Sequence, residues 1–385
     1  MLTIGKLSLG QEAYYLQEVL DGAEDYYLHA GEAPGRWLGS GAENIGLAGE
    51  VGADDLGSVL AGTDPVTGTP LRQTRASLPG LDLTLSAPKS VSLVWGLGDE
   101  ATAADVVACH ERAVDAAIVY LERHACQVRR GHAGAETGTG RGFVAAAFRH
   151  RTSRAGDPSH HTHVLVANLT EGPDGRCTAL DARPLYRHAR PAGFVYQAVL
   201  RYELAGTIGL LFEEVKQGYA DVAGIPIEMR RAFSERRRQI VDRMERHGVS
   251  SAKAAQAATL DTRMAKSEHV PEPELRRRWA ERARPFGVAV ADLPTAVRTP
   301  ALDVSDDDLA ALVTDADATF ERRDVVRVIA QTATQGAALD DIEARADAFL
   351  ASPLAIPVAD GRWTTPEILG SDQRRVQSGR STGPP

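Results

Sequence analysis

Three histidines form the pattern in this chain that most directly indicates chemistry. His150, His161 and His163 occur within fourteen residues. Successive side chains of a β-strand point to opposite faces, so a strand would place His161 and His163 on one face and His160 on the other. Neutral imidazole is the commonest metal ligand, and three of them leave coordination positions open for a substrate. The spacing therefore predicts a three-histidine metal site, although a histidine-rich loop that merely covers a sheet would have the same composition.

Asp82 lies in a second predicted strand, the run L-D-L-T-L-S at 81–86. Leucines alternate there with polar residues, a period of two that sends the leucines into a core and Asp82 to the other face. Aspartate is depleted in strand interiors, so we expect Asp82 to be more than an ordinary strand aspartate. Its carboxylate can accept a hydrogen bond from a metal-ligating histidine or take a proton from a nucleophile.

Two tyrosine pairs stand near the start of the chain. Tyr14-Tyr15 and Tyr26-Tyr27 supply four of the nine tyrosines within fourteen positions. Aromatic residues on a helix usually pack against neighbours, but an activated phenol oxygen is also a nucleophile. The spacing of these residues alone does not decide between packing and catalysis.

The elements that would position these residues are a sheet and the helices packed on it. Runs at 142–148 and 162–169 flank a turn-rich segment and predict a hairpin that carries the histidines. Apolar residues at three-to-four spacing predict an amphipathic helix over 102–124 that packs on the sheet. Further predictions are a helix from Ser8, loops over 31–79 with a short helix at 43–61, helices from about 180 to 350, and a disordered tail.

Length and composition limit the class of protein. The 385 residues predict two or three domains, and hydrophobic residues at 43% with charged residues at 25% match ordinary globular usage. No run of about 18 apolar residues predicts a membrane span, and the start of the chain lacks the features of a secretory signal. We therefore expect a soluble, cytoplasmic protein in which Cys109, Cys126 and Cys177 are reduced packing residues.

Charge is unevenly distributed along the chain. The net charge is −9, yet residues 101–300 hold 30 Lys and Arg against 23 Asp and Glu, between two acidic ends. Of the 43 basic residues 38 are arginines, whose planar guanidinium suits bidentate contacts with phosphate. A bias in genome composition would explain the same excess. We expect the basic middle of the chain to contact nucleic acid and the acidic stretch 301–350 to avoid it.

Several of these motifs together are similar to one family. They are the two tyrosine pairs, L-D-L-T-L-S-A-P-K-S-V-S-L (81–93) and F-R-H-R-T-S-R-A-G-D-P-S-H-H-T-H-V-L-V-A-N (148–168). Further matches are W-L-G-S-G-A-E-N-I-G-L-A-G-E-V (37–51) and W-T-T-P-E-I-L (363–369). Over nearly its whole length the chain resembles the MobF class of conjugative relaxases.

The resemblance implies a fold and a reaction. The fold is α+β, the HUH endonuclease fold of an antiparallel sheet with flanking helices, followed here by a mostly helical C-terminal region. The reaction is site- and strand-specific nicking of mobile-element DNA at a transfer origin, through a 5′-phosphotyrosyl intermediate that allows rejoining. The implied residues are Tyr14 and Tyr26 as first and second nucleophiles with Tyr15 and Tyr27 as neighbours, His150, His161 and His163 as metal ligands, and Asp82 as the acidic residue.

The resemblance also implies what the site binds. The working ion would be Mg²⁺ or Mn²⁺, with Zn²⁺ or Ni²⁺ able to occupy the same site. Lys89 and Arg154 are expected near the phosphate, and Trp37 is an aromatic residue on which a base could stack. The implied partners are single-stranded DNA of a transfer origin, with its nic site and adjacent hairpin, and other relaxosome and transfer-apparatus proteins, with no insertion into a membrane.

The predicted organisation follows from the same comparison. We expect a catalytic core at 1–225, a helical DNA-clamping region at 226–300, an acidic helical connector with the start of a truncated helicase part at 301–369, and a disordered tail at 370–385. No G-x-x-x-x-G-K-[ST] phosphate loop occurs, so no helicase activity is expected in this chain.

Three other functions stay open from the sequence. A rolling-circle replication initiator uses similar histidine and tyrosine chemistry. A metal-dependent hydrolase that uses water would not need the tyrosines. A DNA-binding protein that has lost cleavage would form no covalent adduct.

Overall fold

The computed structural model describes residues 2–7, 35–72, 78–153, 155–246, 270–296 and 302–370. The helix predicted from Ser8 and the tail beyond Gly370 lie outside these ranges. So do five predicted site residues: Tyr14, Tyr15, Tyr26, Tyr27 and Arg154. No helix in the described ranges is long and apolar enough to cross a membrane.

The described residues form twelve strands and eleven α-helices. The strands are β1 (Leu2–Lys6), β2 (Arg36–Leu38), β3 (Gly80–Ser86), β4 (Gln127–Arg130), β5 (Glu136–Thr139), β6 (Ala145–Thr152), β7 (Pro158–Ala167), β8 (Thr170–Glu171), β9 (Cys177–Thr178), β10 (Phe320–Glu321), β11 (Ile356–Pro357) and β12 (Arg362–Thr364). The α-helices are α1 (Ser40–Asn44), α2 (Ala53–Ala61), α3 (Lys89–Leu97), α4 (Glu100–Ala125), α5 (Ala182–Ile208), α6 (Ile227–Ala232), α7 (Glu235–Arg246), α8 (Glu272–Ala283), α9 (Asp306–Val313), α10 (Arg322–Thr332) and α11 (Leu339–Leu350).

The central element is a five-stranded antiparallel sheet in the order β1-β3-β7-β6-β2. This sheet and the helices around it confirm the predicted fold class and the predicted hairpin of β6 and β7. Both hairpin strands are longer than predicted, because β6 continues to Thr152 and Pro158 already begins β7. Proline is tolerated as the first residue of a strand, where its missing N–H disrupts no ladder. All three site histidines therefore lie in paired strands and not in a loop.

The two faces of the sheet pack against different partners. On one face Leu83 of β3 and Val164 of β7 are fully buried in a large cluster with α4 and α5. On the other face Phe148 of β6 and Leu165 of β7 belong to a second apolar cluster with α2. The predicted helix over 102–124 is thus confirmed as α4, packed on the sheet as expected.

The C-terminal segment 302–370 packs on the same helical layer. Val325 of α10 and Phe349 of α11 are fully buried in the cluster that includes α4 and α5. Gly336 has φ +85° and approaches α5 so closely that a Cβ atom there would lie 2.2 Å from the carbonyl oxygen of Ala198. The sequence predicted these helices but not the small sheet β10-β12-β11, because strands of two or three residues are too short to show a period of two.

An ion network also holds this segment. Glu343 of α11 is 8% exposed and accepts hydrogen bonds from Arg123 and His124 of α4 and from Arg322 of α10. Burial would raise the pKa of Glu343, but the hydrogen bonds from His124 and Arg123 hold it at about 2. The carboxylate is therefore charged over the ordinary pH range, and its contacts cross the boundary between α11 and α4.

Replacing Glu343 with Gln should loosen this boundary, because the amide keeps the shape but removes the charge between Arg123 and Arg322. A hydrogen bond to a charged group contributes roughly 1.5–3 kcal/mol. If the free energy of local unfolding falls by about 2 kcal/mol, amide exchange at 322–350 should become about 30-fold faster. Hydrogen–deuterium exchange measures this change. Asp340→Asn is the matched control, since Asp340 also contacts Arg123 but its side chain is 83% exposed, and it should change little.

The stabilisation that Glu343 contributes should depend on pH in a defined direction. The pKa of Glu343 is about 2 in the folded protein against 4.5 for an ordinary glutamate. The stabilisation is therefore complete above about pH 4.5 and is lost as the pH falls towards 2. The difference in melting temperature between the wild type and Glu343→Gln should be constant from neutral pH to about 5 and shrink below it. A difference that persists at pH 2 would contradict the role of the charge.

Candidate metal centre

β6 and β7 bring the three predicted histidines together. His150 lies directly opposite His161 across the hairpin, and His163 follows two residues later on the same face. The ring centroids are 4.8–5.3 Å apart, and one ligand atom from each ring lies within 4.8 Å of the others. Within the described ranges this is the only group of three or more potential metal-ligating side chains that lie so close together. The predicted convergence of these side chains is confirmed.

The orientation of His163 is set from the neighbouring strand β3. Its Nδ1–H donates to Asp82, whose two carboxylate oxygens both lie 2.9 Å away, and Thr84 Oγ1 is 3.2 Å from the same nitrogen. Because a carboxylate can only accept, Nδ1 carries the proton and Nε2 keeps its lone pair for a metal ion. Thr84 was missed as a site residue. The alternation that predicted Asp82 puts Thr84 on the same face, but a threonine in a strand carries no signal of its own.

His161 is held in the same tautomer by the backbone. Its Nδ1–H donates to the carbonyl oxygen of Ser159 at 2.8 Å, which leaves Nε2 free to bind. Burial, followed by the neighbouring His163 imidazole, lowers the pKa of His161 to about 4. The ring is therefore neutral at physiological pH, the form in which an imidazole binds a metal. No sequence pattern predicts a contact to a carbonyl oxygen such as that of Ser159.

His160 lies on the opposite face of β7, as predicted. It is 1% exposed, its ring centroid lies 4.4 Å from that of His110, and Trp95 is the next aromatic neighbour at 5.5 Å. His110 in turn hydrogen-bonds Thr162 and Tyr196, both at 2.8 Å. Burial lowers the pKa of His160 well below its usual value. This buried cluster was not predicted, because its members come from four separate elements: β7, α3, α4 and α5.

Lys89 lies beside the turn of the hairpin that carries the three histidines. Its Nζ donates to the carbonyl oxygen of Pro158. Burial lowers the pKa of Lys89 to about 8, with Asp157 opposing the shift and Arg282 adding to it. The predicted contact between Lys89 and a phosphate stays a prediction.

Trp37 has a different environment from the one its predicted role requires. It is 7% exposed, sits on β2 opposite Ala146, and belongs to the second apolar cluster. The indole faces are therefore covered by apolar neighbours and are not open to a base.

The residues at this centre fit a divalent cation. Two of the three imidazoles have Nδ1 committed to an acceptor, so their Nε2 atoms are available, and the third, His150, is 6% exposed on the same face. A set of three neutral nitrogen donors suits transition-metal ions and leaves positions open for oxygen ligands. The Asp82 carboxylate behind His163 supplies the orienting contact that ligating histidines usually have.

Comparison with known proteins points to one family. The family described as TrwC relaxase matches residues 9–286. A protein of Escherichia coli, "Multifunctional conjugation protein TraI", is 34% identical over 298 residues, which cover 72% of this chain and 16% of that protein. The TraI protein of strain K12 is 33% identical over 278 residues, 69% of this chain and 15% of its own length. The chain thus spans about a sixth of the length of these relatives.

Solved structures of the conjugative relaxase TrwC with oriT DNA have the same fold. A copper-bound complex superposes with a TM-score of 0.66 at 34% identity, and covers 75% of this chain and all of that one. A complex with a 27-mer that comprises the recognition hairpin and the cleavage site gives 0.64 at 32% identity, with the same coverage. The predicted MobF resemblance is confirmed, and the chain belongs to the TrwC relaxase family.

Proposed function

We propose that this chain is a conjugative relaxase that nicks one strand of mobile-element DNA at a transfer origin. The observation that carries the proposal is the convergence of His150, His161 and His163, with Asp82 behind His163, in a member of the TrwC relaxase family. The solved relatives hold oriT DNA, in one case with the recognition hairpin and the cleavage site. Single-stranded DNA of that kind is the proposed substrate.

In the proposed reaction Tyr14 supplies the attacking oxygen. Its Oη loses its proton and forms a bond to phosphorus, the bond from phosphorus to the 3′-oxygen breaks, and that oxygen leaves with the electron pair and takes up a proton. The products are a 5′-phosphotyrosyl link and a free 3′-hydroxyl. Because the link conserves the energy of the broken bond, a 3′-hydroxyl can reverse the step and rejoin strands. Tyr26 is the proposed second nucleophile, with Tyr15 and Tyr27 as neighbours.

The three histidines would hold the divalent ion, for which we propose Mg²⁺ or Mn²⁺. When bound, such an ion withdraws charge from the non-bridging phosphate oxygens. The lowered pKa of His161 keeps that ring neutral, and the contacts to Ser159 and Asp82 fix the tautomers of His161 and His163. Both oxygens of Asp82 face His163, so the geometry favours orientation of that ring over proton transfer from tyrosine.

The remaining assignments are proposals of the same kind. Lys89 and Arg154 would contact the phosphate, and the protein would act in the cytoplasm with other relaxosome and transfer-apparatus proteins. The core at 1–225 would carry the chemistry, the region 226–300 would close over DNA, and 301–369 would connect to a helicase part. These roles follow from membership of the family and from the charge distribution along the chain.

Replacing Tyr14 with Phe should abolish covalent attachment to a single-stranded oligonucleotide that carries the cognate site. The change removes the attacking oxygen but keeps the ring. The measurement is a denaturing gel after incubation with Mn²⁺, with the wild type as the positive control. Tyr15→Phe is the matched control and should keep most of the adduct.

The outcomes of that experiment separate the alternatives. An adduct that forms at the wild-type rate in Tyr14→Phe would move the first attack to Tyr15, Tyr26 or Tyr27. Cleavage by the wild type without any adduct would point to a hydrolase that uses water. Binding without cleavage would point to a DNA-binding protein that has lost the reaction.

Replacing His161 or His163 with Ala should abolish tight Mn²⁺ binding and cleavage together, since each change removes one of three ligands. Isothermal titration with Mn²⁺ measures the binding, and the adduct gel measures cleavage. His160→Ala is the control on the same strand: it leaves a cavity in the core and should lower stability, but folded protein should still bind Mn²⁺. Equal loss of binding in folded His160→Ala and His161→Ala would refute the strand register.

Replacing Asp82 with Asn should weaken Mn²⁺ binding by roughly 10- to 100-fold, the usual effect of losing the partner of a ligating histidine. The amide can still accept a hydrogen bond, but it no longer stabilises positive charge on the ring. Leu83→Met, one residue along the strand on the other face, is a matched control that should leave the affinity unchanged. An affinity equal to wild type in Asp82→Asn would remove Asp82 from the centre.

A further inference from the structure

The turn between β6 and β7 joins the two strands that carry the metal ligands. The backbone N–H of Ser153 donates to the carbonyl oxygen of Asp157, and that of Gly156 donates to the carbonyl oxygen of Ser153, both at 2.9 Å. The pairing register shifts between His150 and Thr152, so the strand is irregular next to the first ligand. The first ligand, His150, therefore lies at the point where the regular pairing of the hairpin ends.

A buried carboxylate fastens the turn to two helices. Asp157 is 1% exposed and accepts hydrogen bonds from Nη1 of Arg282 on α8 at 2.8 Å and from the backbone N–H of Glu235, the first residue of α7, at 2.7 Å. Arg282 also donates to the carbonyl oxygen of Ala232 and lies over the ring of Phe233 at 4.5 Å. A buried carboxylate is costly unless it is paired, so the contact from Arg282 stabilises the turn.

A tryptophan of α8 makes a second contact with the turn. Trp279 is 2% exposed, and its Nε1–H donates to the carbonyl oxygen of Gly156 at 2.9 Å. Gly96 allows this approach, since a Cβ atom there would lie 3.1 Å from the Trp279 ring and 3.3 Å from Pro158. The indole thus fills the space between α3 and the hairpin, and it also satisfies a carbonyl group of the turn.

The hairpin strand itself is held by the start of α8. Arg151, the residue after the ligand His150, is 8% exposed and donates to Glu272 at 2.9 Å. Arg276 donates to the same carboxylate at 2.8 Å and lies 5.1 Å from the centroid of the Trp95 ring. Glu272, Arg276 and Trp279 are spaced by four and three residues, so one face of α8 makes these contacts.

The other face of α8 has partners of its own. Arg277 pairs with Glu274 at 2.8 Å and with Glu281 at 2.6 Å, and Arg278 pairs with Glu274 at 2.7 Å. The sequence predicted the arginine-rich region 226–300 to clamp DNA. In α8, however, these arginines and the two on the inner face all contact the protein itself. The geometry therefore suggests another task for this helix.

We propose that α8 positions the hairpin that carries the three histidines, with Trp279 and Arg282 as positioning residues that act through Gly156 and Asp157. Three ligands bind an ion tightly when their spacing is set before binding, and α8 holds the turn that sets the distance between His150 and His161. The inference rests on the proposed metal centre, but it also concerns the metal-free protein, where the turn can be followed directly.

The test compares Trp279→Phe and Arg282→Gln with Arg278→Gln, a control on the exposed face of the same helix. Trp279→Phe keeps an aromatic ring but removes the N–H donor and leaves a small cavity, and it provides a second variant if Arg282→Gln does not fold. In metal-free protein, hydrogen–deuterium exchange at 150–158 should rise in the first two variants and not in the control. Isothermal titration should show Mn²⁺ affinity reduced about tenfold in the first two variants, the size of effect known for groups that orient ligands.

The outcomes separate positioning from general loss of stability. Glu343→Gln weakens a distant contact and should leave both readouts near the hairpin unchanged, and Arg282→Lys should recover part of the affinity. Exchange and affinity at wild-type values in folded Trp279→Phe and Arg282→Gln would overturn the proposal. Equal losses in Arg278→Gln or Glu343→Gln would overturn it as well. If the wild type binds no Mn²⁺ at the histidines, the proposed metal centre fails, while the exchange measurement still decides whether α8 holds the turn.

Discussion

The register between β6 and β7 is the constraint on which the metal centre depends. A shift of one residue would turn His161 and His163 towards α4 and α5, and it would place His160 on the face that carries Asp82. Both faces of the sheet are covered by apolar clusters, so burial of apolar residues alone does not distinguish the two registers. The polar pairs do. Thr162 hydrogen-bonds the buried His110 on the helical face, and His163 hydrogen-bonds Asp82 on the other, so a slip would break both contacts.

What could be predicted from the sequence follows from local periodicity. A period of two placed His161 and His163 on one face of their strand and Asp82 on the polar face of another strand, and three-to-four spacing located α4. That the two faces coincide follows from the pairing of β3 with β7, which the sequence did not predict. The extent of the hairpin and the burial of Trp37 could not be predicted this way. Both depend on contacts between residues that are far apart in the chain. Trp279 contacts Gly156 at the turn of the hairpin, and β2, which carries Trp37, pairs with β6. Such contacts leave no local pattern, because each is made by one residue whose type has many other uses.

Counting charges along the chain does not show which of its arginines pair with carboxylates of the protein itself. The middle of the chain does carry a net positive charge, but many of its arginines are paired in this way. Arg151 pairs with Glu272 and Arg282 pairs with Asp157, so cations and anions that are distant in sequence neutralise each other at short range. A guanidinium with a buried carboxylate partner is a poor ligand for phosphate, because binding DNA would leave that carboxylate buried without its partner. The excess of arginine in this region is therefore partly structural.

The charges of the ligand set suit the proposed substrate. Imidazole ligands would add no negative charge, and Asp82 places a carboxylate in contact with the ring of His163. A centre of this kind with a divalent ion would carry about one net positive charge, which matches the single negative charge of a phosphodiester. A centre built from two or more carboxylates would be neutral or negative and would attract a phosphodiester less or repel it. In the proposed centre, histidine ligands oriented by one carboxylate on a neighbouring strand would keep the ion in place and preserve its attraction for phosphate.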